Sequence, residues 1–289
     1  MSSRKKAICS QFNRSAAGSY DIHAHVQRMM ADRLVQSLIG WKREDKADGL
    51  NMLEIGCGTG VLTEILLNEY PYASITALDM ASAMIKAAEQ HVLSSTANHV
   101  GYSKSRPARL HFLLADVEMW AADAPTASLD LIVSNACFQW LSYPRQTLGH
   151  LRRMIRAGGL LVFTTFGPDT FYELHKAFNE VYRANGMEPQ RHGLSFQSMD
   201  QWKNLLKEAG FSNIQYERST QMEKYASARD FLHSVKAMGA SNSEAATIRG
   251  LSTRRLFASM YKEYEDRFST QGGVAATYDL LLIQASASR

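Results

Sequence analysis

The sequence predicts an α/β fold: a doubly wound, mostly parallel seven-stranded sheet with helical cap inserts. Three observations carry this. Short apolar runs alternate with helical patterns through the first 170 residues. A glycine loop leads directly from the first of those runs into a helix. After Gly167 the alternation breaks, and aromatic-rich helical stretches intervene before each of two last strand candidates.

Residues Met52–Ile55, Ser74–Leu78, Leu110–Leu114, Leu129–Val133 and Leu160–Phe166 are short and apolar, several bounded by Gly, Pro, Asp or Asn, and read as buried strands. Between them Val61–Asn68, Ala83–His91 and Arg145–Ile155 read as helices. The last sets Leu148, Leu151 and Ile155 on one face. Elements in that order make a parallel sheet covered on both faces. Residues 168–209 read as helical around a polar loop at Asn185–Gly193. Phe211–Glu217 reads as a strand, 225–268 as helix broken at Gly239 and Gly250, and Thr277–Ile283 as the final strand.

The 289 residues are 45% hydrophobic and 21% charged, enough apolar material for a core. This excludes a disordered tail, a collagen-like repeat and a disulfide scaffold. A net charge of +4 is too small to assert nucleic-acid binding and suits an acidic partner. Cys9, Cys57 and Cys137 lie far apart with no CxxC pair, so reduced thiols, a cytoplasmic location and no metal site are expected. No apolar run approaches the ~18 residues of a membrane span. The first twenty residues are basic and free of acids, as in transit peptides, but contain no apolar stretch of the secretory kind.

The chemistry concentrates in four places. Leu53-Glu54-Ile55-Gly56-Cys57-Gly58-Thr59-Gly60 joins strand to helix. Its glycines permit a tight turn and close backbone approach to a ligand, and the helix N-terminus offers N–H groups to an anion. The spacing is GxGxG with an acid, Glu54, before it. That departs from the GxGxxG of dinucleotide sites and makes nicotinamide and flavin dinucleotides the lesser reading. Asp79 closes the next strand, 21 residues beyond Gly58. A carboxylate there can accept both hydroxyls of a ribose, or cap the following helix, a role Ser82 could also fill. After the third strand, Asp116 could accept from an adenine amino group while Val117 covers the ring. After the fourth, Ser134–Leu141 faces the same crevice.

These four elements, in this order, resemble the class I S-adenosylmethionine-dependent methyltransferases over residues 50–166. The resemblance implies a Rossmann-like core that binds S-adenosyl-L-methionine and releases S-adenosyl-L-homocysteine. Glu54 and the loop Gly56, Cys57, Gly58 and Gly60 would hold the methionine part, and Asp79 the ribose. Met80 would lie on the adenine, Asp116 and Val117 would read its edge, and Asn135 would close the site near the sulfonium. Further matches lie outside the sheet: Phe12–Asp21 with His25-Val26-Gln27, Asn135–Leu141, Phe163–Phe171, Glu173-Leu174-His175, Phe231–Ser234, Gly239-Ala240 and Thr277-Tyr278. Together they resemble the malonyl-acyl-carrier-protein O-methyltransferase family of biotin synthesis over nearly the whole chain. Family-like sequence from Phe12 leaves no room for a cleaved transit peptide. On this reading 1–40 is an N-terminal helical lid segment and 41–167 the S-adenosylmethionine-binding core. Residues 168–209 form a cap insert, and 210–289 hold the last two strands with a helical insert at 225–270.

The implied reaction methylates the free carboxylate of a malonyl thioester. It is carried by acyl carrier protein, or alternatively by coenzyme A, and neither nucleic acid nor membrane takes part. Such a carboxylate, with a pKa near ~4, is ionised at neutral pH and needs no general base. The sequence accordingly shows no compelling Ser-His-Asp, Cys-His or metal-ligand arrangement. Candidates to grip or wall the acceptor are Tyr20, Gln139, Trp140, Tyr172, His175 and Lys236, with Phe138 beside Trp140 as wall or core. Tyr20 sits in the segment that folds over the cofactor in similar enzymes, so the resemblance also makes it a cofactor-binding residue. Arg152, Arg153, Arg156, Arg249, Arg254 and Arg255 are candidate docking charges for an acidic carrier. The alternatives are another small-molecule carboxyl or O-methyltransferase, a non-catalytic S-adenosylmethionine-binding assembly protein and, more distantly, a dehydrogenase. Asp79→Ala is expected to weaken S-adenosylmethionine binding severely in calorimetry, and unchanged affinity would refute the ribose assignment.

Overall fold

A computed structural model describes residues 2–16, 18–41, 49–98, 109–190, 192–238 and 253–288. Three helices come first, α1 (Ser3–Ser15), α2 (Ser19–His23) and α3 (His25–Ser37). The alternating core follows: β1 (Asn51–Ile55), α4 (Val61–Glu69), β2 (Ser74–Asp79), α5 (Ser82–Asn98), β3 (Arg109–Leu114), α6 (Val117–Asp123), β4 (Leu129–Ser134), a 3-10 turn at Phe138–Trp140, α7 (Pro144–Met154) and β5 (Ile155–Phe166). Then come α8 (Tyr172–Ala184), α9 (Met199–Glu208), β6 (Ser212–Tyr225), α10 (Ala228–Ala237), α11 (Thr253–Phe268), the two-residue β7 (Ser269–Thr270) and β8 (Gly273–Ser286).

The strands form one sheet in the order β3-β2-β1-β4-β5-β8-β6, with β7 attached to β8. The first five are parallel, whereas β8 runs antiparallel to both β5 and β6. The order reverses between β1 and β4, and at that switch point the loops after the strands splay apart into a crevice. Side chains alternate across the sheet as the period of two demands. Leu53, Ile55, Ile132, Leu161 and Phe163 pack in one cluster under α6, α7 and α9. Met52, Leu131, Val133, Leu160 and Val162 pack in another, under α3 and α4.

Local signals account for the helix starts. Asp116 caps α6, Pro144 opens α7, Ser198 and Gln201 form a reciprocal capping box on α9, and Ser227 caps α10. Several expectations change in the structure, and the final strand runs from Gly273 to Ser286, past both ends of the expected Thr277–Ile283. The helix expected to reach Ile155 ends at Met154, because Ile155 already pairs with Leu129 in β5. Strand β6 continues to Tyr225, well past Glu217. It is an edge strand paired only to β8, so half of it stays polar and shows no apolar run. Of residues 1–40, α3 belongs to the sheet's cover, since Leu34, Val35 and Leu38 are buried against it. Likewise α9, which the sequence groups with the cap, places Trp202 and Leu206 in the sheet cluster. The breaks expected at Gly239 and Gly250 lie outside the described residues.

What remains as cap is α8, α10 and α11. Leu174, Phe178, Tyr182, Phe231, Leu256, Met260 and Tyr264 close on Val26, Met30, Tyr278 and Leu280 in one cluster at the crevice end of β8. Trp202 is 1% exposed and meets Phe163 at 5.2 Å and Phe138 at 6.1 Å between ring centres. Trp202→Ala should therefore cost ~3–5 kcal/mol in denaturant unfolding. A loss below about 1 kcal/mol would show that α9 does not hold the sheet.

Candidate active site

The crevice is built on the turn after β1. Gly56, Gly58 and Gly60 have φ of 74°, 54° and 89°, in the left-handed region where a side chain is strained. Two of them are also fixed by packing. A Cβ on Gly56 would stand 2.5 Å from Cys137 Sγ, and one on Gly60 would stand 3.0 Å from Ala88 Cα. A Cβ on Gly58 would meet nothing within 4 Å, so that side of the turn is the open cradle. The Gly58 N–H donates to Asp79 Oδ2 at 3.0 Å and the Ala81 N–H to Oδ1 at 2.8 Å. Burial pushes the Asp79 carboxyl up, and these backbone bonds oppose the shift. Behind the turn Glu54 is 1% exposed and accepts the Thr63 hydroxyl at 2.6 Å. Burial raises its pKa to about 7, so it is a carboxyl that would gain from a cationic partner.

Helices α1 and α2 lie over this crevice, tied down by polar bonds. Lys5, 6% exposed, ion-pairs with both Asp116 and Glu118. Cys9 Sγ donates to the Met80 carbonyl at 3.2 Å, and Asn13 Oδ1 accepts the Ala83 N–H at 2.8 Å at the start of α5. Thr59, inside the glycine turn, donates to Asp21 Oδ1 at 2.7 Å. Beside it Tyr20 is held well above the usual phenol range by burial and by Asp79 and Asp21, so its hydroxyl stays a neutral donor. Sequence reasoning missed Lys5, Asn13 and Asp21 as site residues. Ile8 and Phe12, four apart and both packed near Trp140, are the helical signal that could have drawn attention to α1.

A cavity of about 1060 Å³ adjoins the crevice. Of the sequence candidates, Tyr20, Gln139, Trp140, His175 and Lys236 line it. Tyr172 does not. Phe171 takes a left-handed φ of 61° and turns inward against Phe231 and Tyr278, leaving Tyr172 46% exposed against Phe268. Phe138 is core: it stacks on Phe163 at 4.4 Å. Trp140 is a wall, met edge-on by Phe12 at 5.4 Å. The amide of Asn135 donates one N–H to the Gln27 carbonyl at 2.9 Å and accepts from Thr164 at 2.6 Å. Gln139 donates to the Ala136 carbonyl and accepts from Thr165. Asp116 Oδ1 takes Lys5 and the Glu118 N–H, and Val117 is buried in the sheet cluster. The Cys137 thiol is pushed up to about 12 by burial, and that of Cys57 still higher, so neither is a ready nucleophile.

The arginine expectation is corrected in part. Arg152 is bound to the Gly210 and Ser288 carbonyls, Arg153 to those of Ala121, Ala122 and Ala124, and Arg156 to Asp130. All three sit where β5 begins, at the edge of the parallel strands opposite the crevice. Arg254 and Arg255 are exposed on α11, and Arg249 lies outside the described residues. Among the described residues no group of three or more His, Cys, Asp or Glu could hold a metal, and no helix is long and apolar enough to cross a membrane.

Residues 22–216 match a family described as a methyltransferase domain. The chain is 59% identical over 285 residues to a malonyl-[acyl-carrier protein] O-methyltransferase of Paenibacillus sp. strain JDR-2, covering 99% of this chain and 100% of that protein. It is 39% identical over 290 residues to the protein of that name from Brevibacillus brevis, covering 99% and 98%. Among solved structures it is similar to the YcgJ protein of Bacillus subtilis, with a TM-score of 0.58, 13% identity and coverage of 90% and 99%. It is also similar to magnesium protoporphyrin IX methyltransferase from Synechocystis with bound S-adenosylhomocysteine, with a TM-score of 0.56, 14% identity and coverage of 98% and 99%.

The raised Glu54 pKa has a signed consequence. Between the ordinary value of 4.5 and about 7 the folded protein holds a proton that the unfolded chain has lost. The stability contributed by this neutral carboxyl is complete below 4.5 and is lost as pH rises through 7. Glu54→Gln keeps an acceptor for Thr63 and removes the titration. Its unfolding free energy should gain on wild type between pH 4.5 and pH 8, and a constant difference would refute the assignment.

Proposed function

The chain belongs to the malonyl-[acyl-carrier protein] O-methyltransferase family, and we propose that its glycine-turn crevice and adjoining cavity bring the two substrates of that reaction together. It is an S-adenosyl-L-methionine-dependent O-methyltransferase. It methylates the free carboxylate of malonyl-acyl carrier protein to give the methyl ester used in biotin synthesis, with S-adenosyl-L-homocysteine as the other product. When bound, S-adenosyl-L-methionine supplies an electrophilic methyl group on a sulfonium.

The residues present fit that group. Glu54 offers a buried, cation-seeking carboxylate to the amino group of the methionine part, and the open side of Gly58 leaves room for backbone approach. Asp79, already aimed by two N–H groups, accepts the ribose hydroxyls. Met80 covers the adenine, and Asp116 keeps Oδ2 for the adenine amino group while Oδ1 is engaged. Asn135, held by the Gln27 carbonyl and the Thr164 hydroxyl, positions the loop under the reacting end and keeps one amide N–H for the ligand. Helices α1 and α2 serve as the lid, and α8, α10 and α11 as the cap.

The acceptor carboxylate arrives ionised, so the protein's task is alignment and exclusion of water, and alignment can be worth ~7–11 kcal/mol. Tyr20 is the residue we assign to grip it. The observation that carries this is its position: Tyr20 lines the acceptor cavity and also stands close enough to Asp79 for that carboxylate to oppose its ionisation. A neutral hydroxyl gives one hydrogen bond and leaves the second carboxylate oxygen free, which a bidentate guanidinium would not. Trp140 walls the reacting end, and Gln139 and His175 complete its lining.

Labelled S-adenosyl-L-methionine with malonyl carrier protein should yield a base-labile methyl ester, and no ester at any pH would end this reading. Tyr20→Phe should lower kcat/KM by roughly 10–100-fold, the worth of one hydrogen bond to a charged group. Its calorimetric affinity for S-adenosyl-L-methionine should stay near that of wild type. Unchanged turnover would remove Tyr20 from the site.

A further inference from the structure

The cavity is far larger than the group to be methylated. At about 1060 Å³ it is at the upper limit of sites that enclose a whole drug-sized ligand, whereas a malonyl group has three carbons. Most of its lining is apolar or aromatic, but its charged side chains are all of one sign. Arg14, Arg229 and Lys236 line it, and no Asp or Glu does among the described residues. None of the three cations is paired with a carboxylate among the described residues.

Helix α10 shows how two of them are placed. Ala228, Phe231, Ser234 and Val235 are its buried residues. Arg229, Leu232, His233 and Lys236 line the cavity at i, i+3, i+4 and i+7, a single stripe two turns or about 10 Å long. Its two ends are exposed cations, and exposed His233 lies between them. Tyr261 of α11, which also lines the cavity, holds the Arg229 guanidinium 5.5 Å from its ring centre. Exposed residues that line a cavity form its rim, so this stripe lies at the entrance.

We propose that the α10 stripe, Arg229 and Lys236 with Arg14 from α1, is a phosphate subsite that holds the arm on which the acyl group is delivered. This rests on the proposed function. A carrier protein presents its thioester on a phosphopantetheine arm, whose one fixed charge before the acyl end is a phosphodiester. Cations at the rim bind that phosphodiester, the apolar lining takes the uncharged arm, and the malonyl carboxylate is left to reach Tyr20. Fixing the arm at its phosphate keeps the rim from capturing the carboxylate that must react. The subsite reads phosphate, so it accepts the same phosphate of a coenzyme A thioester.

The test compares malonyl-phosphopantetheine with malonyl-pantetheine, identical but for the phosphate, as acceptors for the full-length protein. Wild type should favour the phosphorylated thioester in kcat/KM by about tenfold, and less as salt is raised. In Arg229→Gln/Lys236→Gln that preference should fall to near one. Lys236→Gln alone, at an exposed position, carries the same test with a smaller drop should the double variant fail to fold. A preference that survives the substitutions, or its absence in wild type, overturns the subsite while leaving the methyltransferase reading intact. Failure of wild type to methylate either thioester or malonyl carrier protein overturns that reading and the subsite with it.

Discussion

The carboxylate of Asp79 is the constraint around which the crevice is organised. It lies at the end of β2, partly shielded from water, and is held by the N–H groups of Gly58 and Ala81. Burial disfavours its charge and holds the carboxyl above its ordinary range, and the backbone bonds oppose that shift without cancelling it, so both donors must stay in place. One donor belongs to the turn after β1, so that turn must bend back over the neighbouring strand, and three left-handed glycines let it do so. Register supplies the rest. Ile55 pairs with Leu78, which brings the turn and Asp79 to the same edge. A slip of one residue would turn the carboxylate to the other face and leave Gly58 without its acceptor.

The lid depends on the same logic with weaker bonds. Asn13 meets an N–H at the start of α5, Lys5 meets acids at the start of α6, and Asp21 meets Thr59 in the glycine turn. Each contact uses polar groups that would otherwise be left to solvent at the end of a core element. Exchanging water for such a partner nets only ~0.5–1.5 kcal/mol per bond. A segment held this way is fastened by several modest contacts. The buried Lys5 is the exception, because its removal would leave two carboxylates facing each other without a cation.

The parallel half of the fold was legible because strands covered on both faces must be continuously apolar, and the glycine turn with Asp79 because backbone geometry demands those residue types. Three features had no such signal. Strand β6 satisfies its pairing on one side only, so its outer half reads as loop. Helix α1 hides its buried face among Arg4, Lys5 and Lys6, which resemble a basic leader until Lys5 is seen between two acids. The inward turn at Phe171 rests on a left-handed φ at an aromatic residue, a conformation imposed by surrounding packing and unannounced by the side chain. That single residue moves Tyr172 from the cavity to the surface and puts Phe171 in its place.

The position of a charge on the sheet matters more here than its sign. Arginines 152, 153 and 156 stand where β5 begins, and their guanidinium groups are consumed by carbonyls and by the buried Asp130. Arg153 caps the C-terminal end of α6, whose last carbonyls need donors. Five parallel strands all point their carboxyl ends toward the crevice, so cations at their starts meet only the structure itself. Arg14, Arg229 and Lys236, on the lid and cap at the other end, line the cavity instead. A net charge of +4 averages over both ends and describes neither. The one-sided charge of the cavity follows from this separation, because the acids of that region, Glu54, Asp79, Asp116 and Glu118, are committed to the crevice and the lid contacts around it, leaving the acceptor side to cations and neutral donors.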